Sequence, residues 1–311
     1  MKLCSDQQRT VAREGAVKAP LLTVIVPVYN EADTVTQLLD LVLAEETPKE
    51  IIIVDDGSGD GSIGRIKSWL KELCESAKSV RENESWKSAT DCYFVTEISR
   101  DHRSDAACFL PEHIHRVVVL KHHRNRGKGT AIRTALSEAK GNFTIVQDAD
   151  LEVSPTAYSA LLAPLIEGEA DFVIGSRTDI RSSRLIFRSG VGLLNLTVRV
   201  LYGVRLTDEA CCFKVLRSSD LRRMELRCRE FEFCPEVVAK AIRLGLRIHE
   251  VPVAYNPRTV AEGKKLRFRD GIHAAATLFK YRFWRPAAMT TTGVEIVQKT
   301  KTTSPCRAIN R

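Results

Sequence analysis

The 311-residue sequence lacks several features that would assign it to a protein class at once. It has no apolar run long enough to span a bilayer and no signal-peptide core near its start, so we expect no transmembrane segment. Its nine cysteines are irregularly spaced without a CxxC pair, which argues against a disulfide framework or a zinc site. The GxxxxGK[ST] phosphate loop is also absent. These absences favour free thiols in a reducing cytoplasm.

Charge is distributed unevenly along the chain. Residues 1–176 contain 20 Lys and Arg against 27 Asp and Glu, whereas residues 177–285 contain 23 against 11. A basic half is typical of proteins that bind nucleic acid, an anionic membrane or a phosphorylated substrate. On charge alone, a solvated basic surface without a partner is the better explanation. Nucleic acid is the weakest of these partners, because charge alone suggests it.

Short apolar runs alternate with amphipathic patterns over most of the chain. The runs are apolar throughout instead of alternating, which is typical of strands buried on both faces. This pattern predicts an α/β fold, a Rossmann-like, mostly parallel sheet with helices on both faces. Strands are predicted at 23–29, 50–56, 116–120, 143–148, 171–176, 212–216 and 247–255, and helices near 130–139, 156–166, 190–203, 234–244 and 270–283.

The domain boundaries follow from the same pattern. We expect a single domain over residues 21–285, with an acidic half to residue 176 and a basic half from residue 177. Residues 75–112 are polar and without clear periodicity, which predicts an inserted surface loop. Residues 1–20 are expected to be a disordered lead-in and residues 286–311 a polar tail.

The stretch FTIVQDADLE (143–152) takes an apolar run straight into three carboxylates. Alternate residues at a strand end can point the same way, so Asp148, Asp150 and Glu152 could converge on a hard divalent cation. An isolated DxD pattern is short, and taken alone it is better explained by a simple strand-end turn. The other strand ends therefore decide the interpretation, because ligands of such sheets bind beyond the carboxyl ends of the strands.

Two glycine-rich segments follow other predicted strands. In IIIVDDGSGDGS, the glycines permit close approach of a ligand, and Asp55 or Asp56 could accept hydrogen bonds from a nucleoside. In RNRGKG, Lys128 and the start of the following helix could meet a phosphate. A flexible turn and a basic surface turn are the respective alternatives.

Arginines recur after residue 176 at helical spacing. Arg177, Arg181, Arg184 and Arg188 are four, three and four residues apart and would share one helix face. Beside the apolar segment 190–203 they suggest a phosphate with an apolar tail, and a solvated arginine stripe is the alternative. A second basic cluster, PRTVAEGKKLRFRD, contains Arg258 and Lys264 and is expected to close over the same region.

Taken in order, the motifs TVIVPVYNE, IIIVDDGSGDGS, RNRGKGTAIRTA, QDADLEVSP, DFVIGSR, TDEACCFKVLR and EVPVAYNPRTVAEGKK resemble family 2 glycosyltransferases of the GT-A fold. The resemblance covers roughly residues 21–285 and is closest to dolichyl- and polyprenyl-phosphate hexose synthases. It implies nucleotide-sugar contacts, a divalent metal, an acceptor-phosphate site and a catalytic pair. The implied nucleotide-sugar residues are Pro27, Tyr29, Glu31, Asp55, Asp56, Lys128 and Asp148; the metal ligands Asp148, Asp150 and Glu152; the acceptor residues Arg177, Arg188, Arg258 and Lys264; and the catalytic residues Asp150 and Asp208.

The resemblance also implies an activity. We expect an inverting, Mg²⁺- or Mn²⁺-dependent transfer of a hexose, from a UDP-sugar in preference to GDP-mannose, to a polyprenyl phosphate. The protein would work in the cytoplasm, peripheral to the inner face of an anionic membrane, with contact through its interface or a membrane-protein partner. A soluble acceptor and a non-catalytic nucleotide-sugar-binding module are the alternatives.

Overall fold

The computed structural model describes residues 20–74, 81–87, 92–99, 110–177, 185–258 and 268–286. Within these ranges nine strands form one sheet in the order β3-β4-β5-β2-β1-β6-β8-β7-β9. The strands are β1 Leu22–Val28, β2 Lys49–Asp55, β3 Arg81–Lys87, β4 Cys92–Ser99, β5 Ile114–His122, β6 Phe143–Val146, β7 Phe172–Arg177, β8 Lys214–Arg217 and β9 Ile248–Val253.

Helices connect most of these strands. They are α1 Val35–Ala44, α2 Ser62–Cys74, α3 Lys128–Glu138, α4 Tyr158–Ile166, α5 Leu185–Tyr202, α6 Ser218–Arg223, α7 Phe233–Arg243 and α8 Phe268–Tyr281. The central strands β5, β2, β1 and β6 run parallel, while β8 lies antiparallel between β6 and β7. The predicted α/β class is confirmed, with antiparallel pairings added toward both edges of the parallel centre.

The core lies around the parallel strands. Ile52 and Ile53 are neighbours in β2 and so point to opposite faces of the sheet, yet both are fully buried. Ile25 in β1 and Val118 in β5 are buried equally. Continuous apolar runs in the sequence therefore reflect a sheet that is covered on both faces.

The described parts of the region 75–112 are not the surface loop that its polarity predicts. They contain β3 and β4, and β4 pairs antiparallel with β5, placing Thr96 opposite Val119. The polar strand β3, RENESWK, is tolerated because it forms the edge of the sheet, where a strand need not be apolar on both faces, and β4 lies between it and β5. At the opposite edge, β9 carries Pro252, as the proline in its sequence predicts.

Several predictions fall on residues outside the description. The expected lead-in is described only at Pro20, the expected tail only at Pro286, and Lys264 lies in the undescribed range 259–267. Among helices of the described ranges, none combines the length and the apolar character needed to cross a bilayer.

Candidate active site

The loops that follow β1 and β2 are joined to each other by side-chain hydrogen bonds. Asn30 Oδ1 accepts from the Gly59 amide at 2.9 Å, and Ser62 Oγ accepts from the Glu31 amide at 2.9 Å. Asn30 has a φ of 51°, a left-handed conformation that asparagine tolerates better than most residues. These contacts build one continuous rim at the carboxyl end of the sheet, with Pro27 in β1 and Tyr29 exposed beside it.

The neighbouring aspartates Asp55 and Asp56 are both buried but have different surroundings. Asp56 accepts from the Arg126 and Gly127 amides at 2.9 and 2.8 Å and lies 2.6 Å from His122 Nδ1. It therefore fixes the RNRGKG loop. Neither carboxylate oxygen of Asp55 has a partner at hydrogen-bonding geometry within the described residues. Burial raises the pKa of Asp55, although Ser58 lies close enough to oppose that rise in part.

Lys128 reaches across the site from the first turn of α3. Its Nζ lies 2.6 Å from Asp148 Oδ1, beyond the end of β6. Burial opposes the charge of Lys128, but the nearby Asp148, Cys212 and Cys234 together outweigh burial and raise the pKa of the lysine. The contact with Asp148 therefore favours the charged form of Lys128.

The amides at the start of α3 are already bonded to other parts of the chain. Gly127 N donates to Asp56, Gly129 N to Glu230 O at 2.9 Å, and Thr130 N to Arg229 O at 3.0 Å. The sequence suggested that this helix start could meet a phosphate together with Lys128. In the structure, the Lys128 side chain faces Asp148, while these three amides donate hydrogen bonds within the protein.

The three acidic residues after β6 have separate partners. Asp148 contacts Lys128, Asp150 Oδ1 accepts from the Glu152 amide at 3.1 Å, and Glu152 Oε1 accepts from the Arg258 amide at 3.0 Å. In the ranges that the structure describes, no group of three or more His, Cys, Asp or Glu residues is arranged to hold a metal ion. The three-carboxylate metal site thus stays a prediction.

The chemistry of these carboxylates nevertheless fits a hard cation. Burial raises the pKa of Asp150 to about 7, and the negative charges of Asp148 and Glu152 add to that rise. A divalent cation bound by oxygen ligands would remove this repulsion and stabilise the ionised forms. Asp148 and Asp150 are the residues best placed for it, since Glu152 faces the segment that carries Arg258.

Arg258 links the loop after β1 to the segment after β6 at this site. Its Nη1 lies 2.9 Å from Glu31 Oε2, while its main-chain amide donates to Glu152. Its Nη2 is buried and has no hydrogen-bond partner within the described residues. A buried, unpartnered guanidinium nitrogen at the rim is suited to an anionic ligand.

Arg177 and Asp208, predicted to act separately, are paired with each other. Arg177 Nε and Nη2 lie 2.6 and 2.7 Å from the two Asp208 oxygens, and its amide donates to Asp208 at 3.1 Å. The Arg177 guanidinium also lies 5.0 Å from the centre of the Tyr255 ring. Burial opposes charge on Arg177, but the Asp208 carboxylate outweighs it and raises the pKa of the arginine.

Most of the remaining predicted site residues lie together. The structure brings Glu31, Asp148, Asp150, Glu152, Lys128 and Arg258 to one rim. Arg188 lies in a turn of α5 whose side chains are not described. Tyr255 was missed from the sequence, although its hydroxyl donates to Glu152 at 3.3 Å. Its position three residues before Arg258 was the available signal.

Comparison with known proteins assigns the family. Residues 23–90 and 70–224 match the family model described as "Glycosyl transferase family 2". The chain belongs to this family. The sequence resemblance is thereby confirmed, and the rim described above lies largely within the matched residues.

Curated relatives share moderate sequence identity with this family member. It is 29% identical over 248 residues to the undecaprenyl-phosphate 4-deoxy-4-formamido-L-arabinose transferase of Pseudomonas fluorescens (strain Pf0-1), covering 78% of this chain and 59% of that protein. It is 26% identical to the UDP-N-acetylglucosamine–dolichyl-phosphate N-acetylglucosaminyltransferase of Methanococcus voltae, covering 78% and 89%. The chain spans only 59% of the length of the Pseudomonas transferase and 62% of that of the same-named transferase of Proteus mirabilis (strain HI4320).

Solved structures support the fold. Glucosyl-3-phosphoglycerate synthase from Mycobacterium tuberculosis, crystallised with Mn²⁺, UDP and glucosyl-3-phosphoglycerate, aligns with a TM-score of 0.53 at 17% identity. The alignment covers 84% of this chain and 80% of that one. At this identity the likeness establishes a shared architecture, the GT-A fold.

Proposed function

We propose that the protein transfers a hexose from a nucleoside diphosphate sugar to a polyprenyl phosphate. The observation that carries the donor half of this proposal is the buried carboxylate of Asp55, whose two oxygens lack partners within the described residues. A buried polar group without a partner is costly, so a ligand that donates hydrogen bonds to it would be bound strongly. A nucleoside base N–H or ribose hydroxyl is such a donor.

The phosphates of the donor would lie along the same rim. Lys128 and Arg258 supply positive charge there, and Arg258 Nη2 has no partner within the described ranges. We assign the nucleotide to UDP in preference to GDP, because RNRGKG resembles the glucosyl branch of the family and the Methanococcus relative is named for a UDP-sugar.

Asp148 and Asp150 would hold Mg²⁺ or Mn²⁺, with Glu152 as a further ligand. The raised pKa of Asp150 supports this assignment, because a bound cation would favour its ionised form. When bound, such an ion would neutralise the diphosphate leaving group. Lys128, which already balances Asp148, would add a second positive charge beside the diphosphate.

The acceptor proposal rests on the two faces of α5. Val191, Leu194 and Val198 are buried against the protein, yet Leu193, Leu196 and Val200 are exposed on the other side. A helix that is apolar on both faces normally has an apolar partner on each. A polyprenyl chain or the membrane that contains it would cover the outer face.

A second exposed apolar set lies on and just beyond α8. Ile272, Phe279 and Phe283 are all more than half exposed, and α8 packs against α5. Lys280 and Arg282 accompany them with positive charge. Apolar residues flanked by basic ones are suited to an anionic membrane surface. We therefore place the protein at the periphery of a membrane, on its cytoplasmic side.

The bond changes are simple for this pair of substrates. An acceptor phosphate oxygen would form a bond to the anomeric carbon as the nucleoside diphosphate leaves with its bonding electrons, inverting the configuration. An ionised phosphate needs no general base, so Asp208 is not required to take a proton. We assign Asp208 to holding Arg177, which would face the acceptor phosphate from the basic half, residues 177–285.

Radiolabelled UDP-glucose and GDP-mannose, each incubated with polyprenyl phosphate in detergent and Mn²⁺, test the proposal. We expect label to enter the organic phase from the UDP-sugar, and this transfer to be lost in Asp150→Ala. Label transferred only to water-soluble products would favour a soluble acceptor. Nucleotide binding without turnover of any donor would favour a non-catalytic binding module.

A further inference from the structure

The helix α7 contains a buried ion pair outside the rim. Glu236 and Lys240 are four residues apart, both are fully buried, and their charged atoms lie 2.5 Å apart. Glu236 also accepts from the main-chain amides of Arg227 and Cys228 at 2.8 and 2.6 Å. Lys240 donates to Met224 O at 2.7 Å. The pair thus binds the main chain of the segment 224–231, which we name the strap.

The strap lies directly on the first turn of α3. Its Arg229 and Glu230 carbonyls accept from the Thr130 and Gly129 amides at 3.0 and 2.9 Å. Glycine is needed at this contact, because a Cβ on Gly129 would lie 2.8 Å from the Cys228 carbonyl carbon. A displacement of the strap should therefore also displace the first turn of α3.

On its other side the strap has little support from packing. An open pocket of about 250 Å³ there is lined by Arg227, Cys228 and Arg229 of the strap and by Lys280 and Tyr281 of α8. Met224, Leu226 and Cys228 of the strap are buried in the hydrophobic core, whereas on the side of the pocket its main chain is held by the hydrogen bonds from Glu236 and Lys240.

Lys128 precedes the two amides that the strap holds, and its side chain binds the carboxylate of Asp148. Its backbone belongs to the turn fixed by Arg229 and Glu230, and its Nζ contacts Asp148 and lies 6.0 Å from the centre of the Phe231 ring in the strap. We infer that Glu236 is a positioning residue for the donor site, which acts on Lys128 through the strap. This inference rests on the proposed function of Lys128 as a donor-phosphate contact.

Titration calorimetry with UDP and Mn²⁺ on the full chain tests the inference. Glu236→Ala should weaken UDP binding by about tenfold or more, as removal of a group that orients a ligand contact commonly does. Glu236→Gln keeps an acceptor oxygen for the strap amides and should lose less. Gly129→Ala, which disturbs the same contact without touching the ion pair, should weaken binding in the same direction.

A matched control and a double-mutant cycle separate positioning from general stability. Lys49 and Glu45 form another ion pair four residues apart, in which the lysine is buried. Lys49 begins β2 and Asp55 ends it, so this pair lies far from the rim. Lys49→Met should lower the unfolding temperature and leave UDP affinity unchanged. In a Lys128→Met background, Glu236→Ala should change UDP affinity by less than about twofold, because the residue through which it acts is already gone.

The outcomes distinguish the two proposals. If wild-type protein binds UDP and Glu236→Ala binds it equally well, the positioning role is wrong. Additive losses in the Lys128→Met background would also overturn it, since a merely structural residue would act independently of Lys128. If wild-type protein binds neither UDP nor GDP, the proposed function is wrong, and so is this inference, which rests on it.

Discussion

Arg177 and Asp208 hold each other through two side-chain contacts, with Nε and Nη2 of the arginine 2.6 and 2.7 Å from the two carboxylate oxygens. The pair is almost completely buried and joins the end of β7 to the segment before β8. Two residues that the sequence assigns to separate roles thus form one unit. Any acceptor contact made by Arg177 depends on the orientation that Asp208 gives it.

Breaking this pair should be costly. Asp208→Asn or Arg177→Met leaves one buried charge without its partner, and we expect the free energy of unfolding to fall by about 3 kcal/mol in each. The double variant should lose clearly less than the sum, because no buried charge remains. Urea denaturation measures all three, and strictly additive losses would show that the two side chains are not coupled.

Asp55 and Asp56 should respond differently to the same substitution. Asp55→Asn removes an unpartnered buried carboxylate, so UDP affinity should fall by more than about tenfold with no loss of stability. Asp56→Asn weakens the bonds to Arg126, Gly127 and His122 and should lower the free energy of unfolding by about 2 kcal/mol. Calorimetry and thermal melts distinguish the two. Equal effects of both variants would contradict the separate roles.

Glu209 should make stability depend on pH. It is fully buried, both its oxygens lack partners within the described residues, and burial raises its pKa from 4.5 to about 7. The folded protein binds this proton more tightly than the unfolded chain does, so the free energy of unfolding falls as pH rises from 4.5 to 7. Lys214 and Arg177 oppose the shift, and Asp208 adds to it.

Glu209→Gln removes this dependence. At pH 8 the variant should be more stable than wild type by about 3 kcal/mol, the cost of ionising the buried carboxyl, and the difference should shrink toward pH 5. Denaturation at both pH values measures it. A gain that is the same at pH 5 and pH 8 would show that ionisation of Glu209 is not its source.

The outer face of α5 should govern membrane binding. Replacing Leu193, Leu196 and Val200 together by serine removes exposed apolar area, so association with anionic vesicles should fall while stability changes little. Ile166→Ser in α4 is the matched control, because Ile166 is 60% exposed but lies on another helix. If both variants cosediment with the vesicles equally well, the outer face of α5 does not bind the membrane.

Local pattern was sufficient to predict most of the fold. Continuous apolar runs predicted β1, β2 and β5, because a strand covered on both faces has no polar side to interrupt the run. The same rule failed for β3, whose polar sequence RENESWK is tolerated because it forms the edge of the sheet, and β4 beside it was missed as well. An edge is a property of the whole sheet, so the pattern of those residues alone did not reveal it.

The site was predictable in its membership and less so in its pairing. Strand ends indicated Asp55, Asp56 and Asp148, since the carboxyl ends of parallel strands meet at one edge. Nothing in the sequence showed that Asp56 would be bound by the RNRGKG loop while Asp55 was left unpartnered within the described ranges. The contact between Arg258 and Glu31 joins residues far apart in the chain and depends on the completed fold.

The most direct test of the account is titration calorimetry of UDP and GDP, each with and without Mn²⁺, on wild type and on Asp150→Ala. The account predicts that wild type binds UDP in preference to GDP, that binding requires the metal, and that Asp150→Ala loses it while remaining folded. Failure of wild type to bind either nucleotide, or binding that is indifferent to both Mn²⁺ and Asp150, would contradict a metal-assisted nucleotide-sugar site at this rim.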